Sequence, residues 1–191
     1  MTQKLRLSPS GPVIGEIGNG FRLRFGDHQA TMTGSLAVPT TKSPICTDGF
    51  GGAGPIVMAF PAPKADHMYR AEFRLDLLNT TTSHTDQVVL FIETSIDGGA
   101  WTVRSKNAHV VNSAGVANAV PQARECSVSL PLTSGADLGV LPDSTEIEFR
   151  VSAQLTSGTE TDVEVSTLAT SGSVSGLNGT LYYQIEETLA A

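Results

Sequence analysis

The feature that most constrains this chain is a strict two-residue alternation of apolar and polar side chains. Over residues 69–77, Tyr69, Ala71, Phe73, Leu75 and Leu77 alternate with Arg70, Glu72, Arg74 and Asp76. Successive side chains of a strand point to opposite faces, so such a segment buries one face and wets the other. Residues 145–155 repeat the pattern: Ile147, Phe149, Val151, Ala153 and Leu155 read as inward, and Glu146, Glu148, Arg150, Ser152 and Gln154 as outward. Cys126, Val128, Leu130 and Leu132 alternate with Ser127, Ser129 and Pro131, and Leu181, Tyr183 and Ile185 with Tyr182, Gln184 and Glu186.

Residues 87–96 read differently. Val88, Val89, Leu90, Phe91 and Ile92 form a continuous apolar run, which suits a central strand covered on both faces. Asp97-Gly98-Gly99 follows, then Trp101-Thr102-Val103. Asp-Gly between two strand-like runs signals a hairpin, because glycine tolerates positive φ. Further strands are expected at 3–8, 20–25, 30–38, 55–60 and 162–168, and one short helix at 134–141 after Ser134-Gly135. Ten prolines argue against long helices. The fold class predicted is all-β: a two-sheet antiparallel sandwich, jelly-roll-like, over residues 66–191. Residues 1–65, with Ser8-Pro9-Ser10-Gly11-Pro12 and Gly49-Phe50-Gly51-Gly52-Ala53-Gly54-Pro55, read as an N-terminal arm or loop-rich β-extension.

Composition narrows the function classes. A chain of 191 residues suits one domain, and 40% hydrophobic residues suit a globular one. Charged residues make up only 16%, and twelve basic against nineteen acidic residues leave a net charge of −7. Such a balance argues against nucleic acid as a partner, since phosphate contacts need clustered Lys and Arg. The charge is uneven: residues 1–106 hold ten basic and nine acidic residues, whereas residues 107–191 hold only Arg124 and Arg150 against ten acidic ones. Cys46 and Cys126 are read as buried thiols rather than a disulfide framework. MTQKLRLSPSGP lacks a signal-peptide apolar run and no stretch approaches a membrane helix, so synthesis in a cytoplasm and no membrane partner are expected.

Chemistry-bearing patterns are scarce. His28, His67, His84 and His109 lack zinc-type spacing, so no metal site is read. Asp66-His67 is the closest local acid–histidine pair and reads as solvent-exposed. The glycines at 49–54 lack the Gly-Lys-Ser/Thr of a phosphate loop. Asp97-Gly98-Gly99 lacks the oxygen-bearing run of a calcium loop. Glu146 and Glu148 share a strand face and read as surface charge. No catalytic residue or cofactor is assigned, and the chain is expected not to be an enzyme.

The stretch Phe91-Ile92-Glu93-Thr94-Ser95-Ile96-Asp97-Gly98-Gly99-Ala100-Trp101-Thr102 resembles a hairpin met in virion proteins, where Ser-x-Asp-Gly-Gly and a following Trp join two jelly-roll strands. The Thr-, Ser- and Gly-rich strands, low charge and acidic balance are similar to capsid decoration proteins, head fibres and spike domains of tailed phages. The resemblance covers about the last two thirds of the chain. It implies a structural virion protein, commonly a homotrimer, that docks on the major capsid protein or other virion proteins and carries no catalytic residues. Its location would be the virion, after synthesis in a host cytoplasm. Asp97, Gly98, Gly99 and Trp101 are then hairpin residues. Lys4 and Arg6, with Arg22 and Arg24, form two short alternating basic stretches that could meet an acidic shell. The alternative is a carbohydrate-binding, lectin-like module, with Trp101 or Tyr69 as the sugar-facing ring.

Overall fold

The computed structural model of the chain describes the backbone of residues 4–6, 15–17, 20–31, 36–46, 49–52, 54–79, 85–112, 123–157, 163–165 and 180–189, and within these the side chains of residues 37–46, 50–52, 54–77, 86–111, 125–157 and 182–189. All regular structure there is β: β1 (Lys4–Arg6), β2 (Gly15–Ile17), β3 (Gly20–Thr31), β4 (Leu36–Ala37), β5 (Ser43–Cys46), β6 (Gly49–Phe50), β7 (Val57–Pro61), β8 (His67–Asn79), β9 (Thr85–Ile96), β10 (Thr102–Asn112), β11 (Ala123–Ser134), β12 (Glu146–Ser157), β13 (Val163–Val165) and β14 (Thr180–Leu189).

The long strands pair in a nested order. β9 and β10 form the central hairpin, β8 pairs with β11, β7 with β12, and β3 with β14, all antiparallel. Cross-pairing of β9 with β12 and of β8 with β14 then sorts them into two sheets. The first runs β7–β12–β9–β10 and the second β3–β14–β8–β11. This is the strand order of a jelly roll, an antiparallel ribbon wrapped so that its two halves stack. Short strands extend it. β5 continues along β12 beyond β7 and carries β6, β2 lies outside β3, and β13 joins the far end of β8 to β4. β1 pairs with β7 in parallel, against the antiparallel rule of the rest. Residues 1–65 thus supply strands to both sheets.

The alternation in the sequence meets this geometry closely. Tyr69, Ala71, Phe73, Leu75 and Leu77 of β8 all turn inward and are buried, as are Ile147, Phe149, Val151, Ala153 and Leu155 of β12. Edge-on contacts between Phe73 and Tyr183 (5.1 Å between ring centroids) and between Phe60 and Phe149 (6.1 Å) help fill the space between the sheets. Cys46 and Cys126 are buried thiols not joined to each other. β9 lies between β10 and β12, as its continuous apolar run predicts.

Two expectations fail for local reasons. Leu132 does not face inward. The register of β11 slips between Leu130 and Thr133, a bulge at Pro131-Leu132, and Leu132 is left 54% exposed. The segment 134–141 is not a helix. Ser134 accepts from the Asp137 backbone N–H and Leu138 donates to the Ser134 carbonyl, making one helical turn, and Gly139 at φ +88° ends it.

One long edge of the sandwich is closed by side chains. Ser105 Oγ donates to the Ser129 carbonyl (2.6 Å), and Asn107 Nδ2 (3.0 Å) and His109 Nε2 (2.7 Å) both donate to the Ser127 carbonyl. A carbonyl only accepts, so Nε2 of His109 carries a proton. These bonds tie edge strand β10 to edge strand β11 and occupy backbone groups that would otherwise invite another strand.

At one end of the sandwich, Gly135 donates to the His67 carbonyl and Ala136 to the Ala65 carbonyl. A methyl group on Gly135 would run into the Lys64 carbonyl, which is backbone and cannot move aside alone. Gly135→Ala should therefore destabilise the fold by about 1–3 kcal/mol, read from the midpoint of urea unfolding, through this clash, whereas the cost of Gly98→Ala is backbone strain at φ +72° with no neighbour in the way.

Candidate functional site

The hairpin turn is where the sequence concentrates its sharpest motif. Asp97 and Gly98 both sit at positive φ, +52° and +72°, the geometry of a turn whose twist suits two flanking strands. Gly99 N–H closes it on the Ile96 carbonyl (2.8 Å), and Ser95 Oγ donates to the Gly99 carbonyl (3.0 Å). The Asp97 side chain reaches beyond its own hairpin. Its Oδ1 accepts from Thr145 N–H (2.7 Å), Thr145 Oγ1 (2.7 Å) and Glu146 N–H (2.9 Å), at the start of β12. Bonds from Thr145 and Glu146 to the ionised carboxylate hold its pKa below the usual range. Asp97 thus fixes where β12 enters the sheet. Asp97→Ala should lower the melting temperature more than Asp97→Asn, because the amide oxygen can still accept; thermal unfolding followed by circular dichroism checks the order.

Trp101 is partly buried at the base of this turn, with the Arg150 guanidinium 4.1 Å from its ring centroid. Arg150 stands opposite Glu93 in the β12–β9 register and donates from Nε to Glu93 Oε2 (2.8 Å). Ser152 Oγ donates to the same oxygen (2.5 Å), and Lys42 reaches over from the segment before β5 to the other. Phe91 lies beneath the Lys42 ammonium. Glu93 is fully buried, yet it lies on the face of β9 turned away from the inter-sheet core.

This overturns the reading of the polar face of β12 as wet. Glu148 and Ser152 are buried on it, 2% and 0% exposed, and Arg150 is largely covered. Burial pushes the Glu93 carboxyl up, but hydrogen bonds from Lys42 and Ser152 and the charge of Arg150 outweigh it and leave the pKa below the usual carboxylate range. With three donors on its two oxygens, Glu93 is a structural tie rather than a base or nucleophile. The residues missed from the sequence are Lys42, Glu93 and Ser152. The available signal was Glu93 itself, a lone charge directly after an apolar run predicted to be covered on both faces.

Another buried carboxylate sits at one end of the sandwich. Glu187 Oε1 accepts from Tyr69 OH (2.5 Å) and lies 3.0 Å from His67 Nδ1, while Tyr69 OH accepts from Lys64 N–H (3.0 Å). The acid paired with His67 is thus Glu187, 120 residues away in sequence, and not the adjacent Asp66. Among the described residues, no group of three or more His, Cys, Asp and Glu side chains is arranged to hold a metal ion.

The four basic docking candidates fall on two sheets. Lys4 and Arg6 lie on β1, opposite Val57 and Ala59 of β7 in the first sheet. Arg22 and Arg24 lie on β3 in the second sheet, opposite Thr188 and Glu187 of β14. The side chains of all four lie outside the described residues, as do those of His28 and His84. No protein-family model and no curated protein matches this chain.

Glu93 tests the outer layer. Its depressed pKa means that its contribution is present above the unfolded carboxylate range and is lost as pH falls through the folded value. Glu93→Gln should cost about 3 kcal/mol near neutral pH, at the low end for breaking a buried ion pair because Lys42 and Arg150 can turn toward water. Urea unfolding at several pH values checks both points, with the variant showing the shallower loss of stability on acidification.

Proposed function

We propose that this chain is a structural virion protein, a capsid decoration, minor capsid or head-fibre subunit that self-associates and docks on a viral shell. The observation that carries the reading is the nested jelly-roll order, an architecture much used in viral coats. The Asp97-Gly98 hairpin inside it adds support, since the resemblance to virion proteins lies in that motif. A fold hosts many functions, so the reading leans on the build of this chain as well. Its resources go into rigidity: a closed β10–β11 edge, a clamp from Asp97 to β12, and a buried polar tie on the outer face of the first sheet. Those are properties of a subunit that bears load.

In this reading the chain assembles with itself as a homotrimer and contacts a major capsid protein or another virion protein. The basic residues Lys4 and Arg6, on a strand attached to the sheet by only three register pairs, are the candidates for reaching an acidic shell. Removing residues 1–26 would also remove β2 and the first part of β3, so charge reversal is the cleaner probe.

Light scattering during size exclusion should give three times the 20.0 kDa chain mass. In density gradients of particles from the source of the chain, it should sediment with the particles, and Lys4→Glu with Arg6→Glu should release it as the salt dependence of binding falls. A monomer that stays at the top of the gradient would remove the virion reading.

A further inference from the structure

The hairpin turn joins a reactive dipeptide to an anchor. Asp97 and Gly98 are both exposed. In an Asp-Gly pair the backbone nitrogen of the glycine readily meets the side-chain carboxyl carbon of the aspartate, because glycine has no Cβ to shield its N–H. Around Gly98 no described atom lies within 4 Å of where a Cβ would stand, so a five-membered ring has room to form there. The anchor is the Asp97 carboxylate, which is bonded to the start of β12.

We propose that Asp97 is a modification site, converted without an enzyme to isoaspartate, and that its bonds to Thr145 and Glu146 set the rate. The reaction needs only water. Gly98 N attacks Cγ of the neutral Asp97 carboxyl. The N–H proton and the carboxyl hydroxyl leave as water, and a succinimide closes. Water then adds to either ring carbonyl. Addition at Cγ breaks the new C–N bond and restores aspartate. Addition at the main-chain carbonyl carbon breaks the original peptide bond and leaves Gly98 joined to Cγ. That product is isoaspartate, and its mass equals that of the starting chain.

The clamp opposes the first step in two ways. Cγ must swing toward Gly98 N, but Oδ1 is held by Thr145 N–H (2.7 Å), Thr145 Oγ1 (2.7 Å) and Glu146 N–H (2.9 Å). Asp97 N–H also donates to the Glu146 carbonyl (3.0 Å), so backbone and side chain both fix the turn to β12. The leaving hydroxyl, moreover, exists only on the protonated carboxyl. The same donors favour the carboxylate, the Thr145 hydroxyl foremost, and keep the neutral form scarce.

Conversion in turn dismantles the clamp. In isoaspartate the main chain runs through Cγ and gains a methylene, and the free carboxylate hangs directly from Cα. The side-chain carboxylate that met Thr145 and Glu146 no longer exists, and the start of β12 loses its anchor. The backbone is also released from φ +52° at residue 97, an uncommon conformation for a residue other than glycine. The modification therefore loosens the hairpin end of the sandwich.

The test keeps the purified chain near neutral pH at body temperature for several weeks. Electron-transfer fragmentation of its peptides then locates isoaspartate at unchanged mass. Asp48-Gly49, the other Asp-Gly pair of the sequence, is the internal reference. Thr145→Val keeps the shape of an exposed side chain and removes its hydroxyl donor, and Thr145→Ser puts the hydroxyl back. Val128→Ala, a core truncation in the second sheet, controls for general loss of stability. Isoaspartate at 97 should form about fivefold faster in Thr145→Val, at the wild-type rate in Thr145→Ser and Val128→Ala, and without change at Asp48. Aged Thr145→Val should also melt at a lower temperature than the fresh protein. Absence of isoaspartate at 97 from every chain, equal rates in wild type and Thr145→Val, or an equal acceleration by Val128→Ala would overturn the proposal.

Discussion

The placement of a carboxylate where water cannot reach it governs the first sheet. Glu93 sits on the outer face of a central strand and is fully buried there. An ionised group in such a place costs several kcal/mol unless its oxygens are met by donors of opposite charge. Arg150 and Ser152 come from the neighbouring strand β12, two residues apart and therefore on one face. Lys42 comes from the segment leading into β5, which runs along the edge of β12 with Pro44 opposite Ser152. The register of β12 against β9, the path of residues 39–46 and the seat of Trp101 over Arg150 are thus tied to one another. Shifting β12 by one residue would turn Arg150 and Ser152 into the apolar core and leave Glu93 without either.

The same logic explains how much was legible in the sequence. Period-two alternation located β8, β11, β12 and β14 and, Leu132 aside, the inward residues whose side chains are described, because an amphipathic strand has only one way to face a core. The Asp97-Gly98 pair located the hairpin, because positive φ at both positions favours those residues. What was not legible depends on partners far away in the chain. The outward residues of β12 look like surface until residues 39–46 and Trp101 are laid over them. Leu132 looks inward until Pro131, which has no N–H to give to a ladder, forces the bulge that turns it out. Asp66 looks like the partner of His67 until the fold brings Glu187 to it across 120 residues.

The candidate sites fared differently for a related reason. Asp97 was marked for its turn, yet its carboxylate serves a strand 48 residues away, and nothing local to the motif announces that. Tyr69 and Trp101 were marked as rings. A ring is useful to a ligand only on a face left open, and openness is decided by tertiary structure. Tyr182, Gln184 and Glu186 read as a wet face, yet Glu186 is only 3% exposed in its pair with Arg70.

An asymmetric sandwich follows from this arrangement. Two stacked sheets bury their inner faces against each other and leave two outer ones. In this chain one outer face is closed by its own segments and locked with ion pairs, and the β10–β11 edge is tied by Ser105, Asn107 and His109. Both features lower the number of surfaces on which an unintended strand or apolar patch can settle. Among the described residues, the bulged corner around Leu132 stays in reach of a partner. A subunit built to occupy one position in a larger assembly gains from such a restriction, because specificity comes as much from removing wrong contacts as from strengthening right ones.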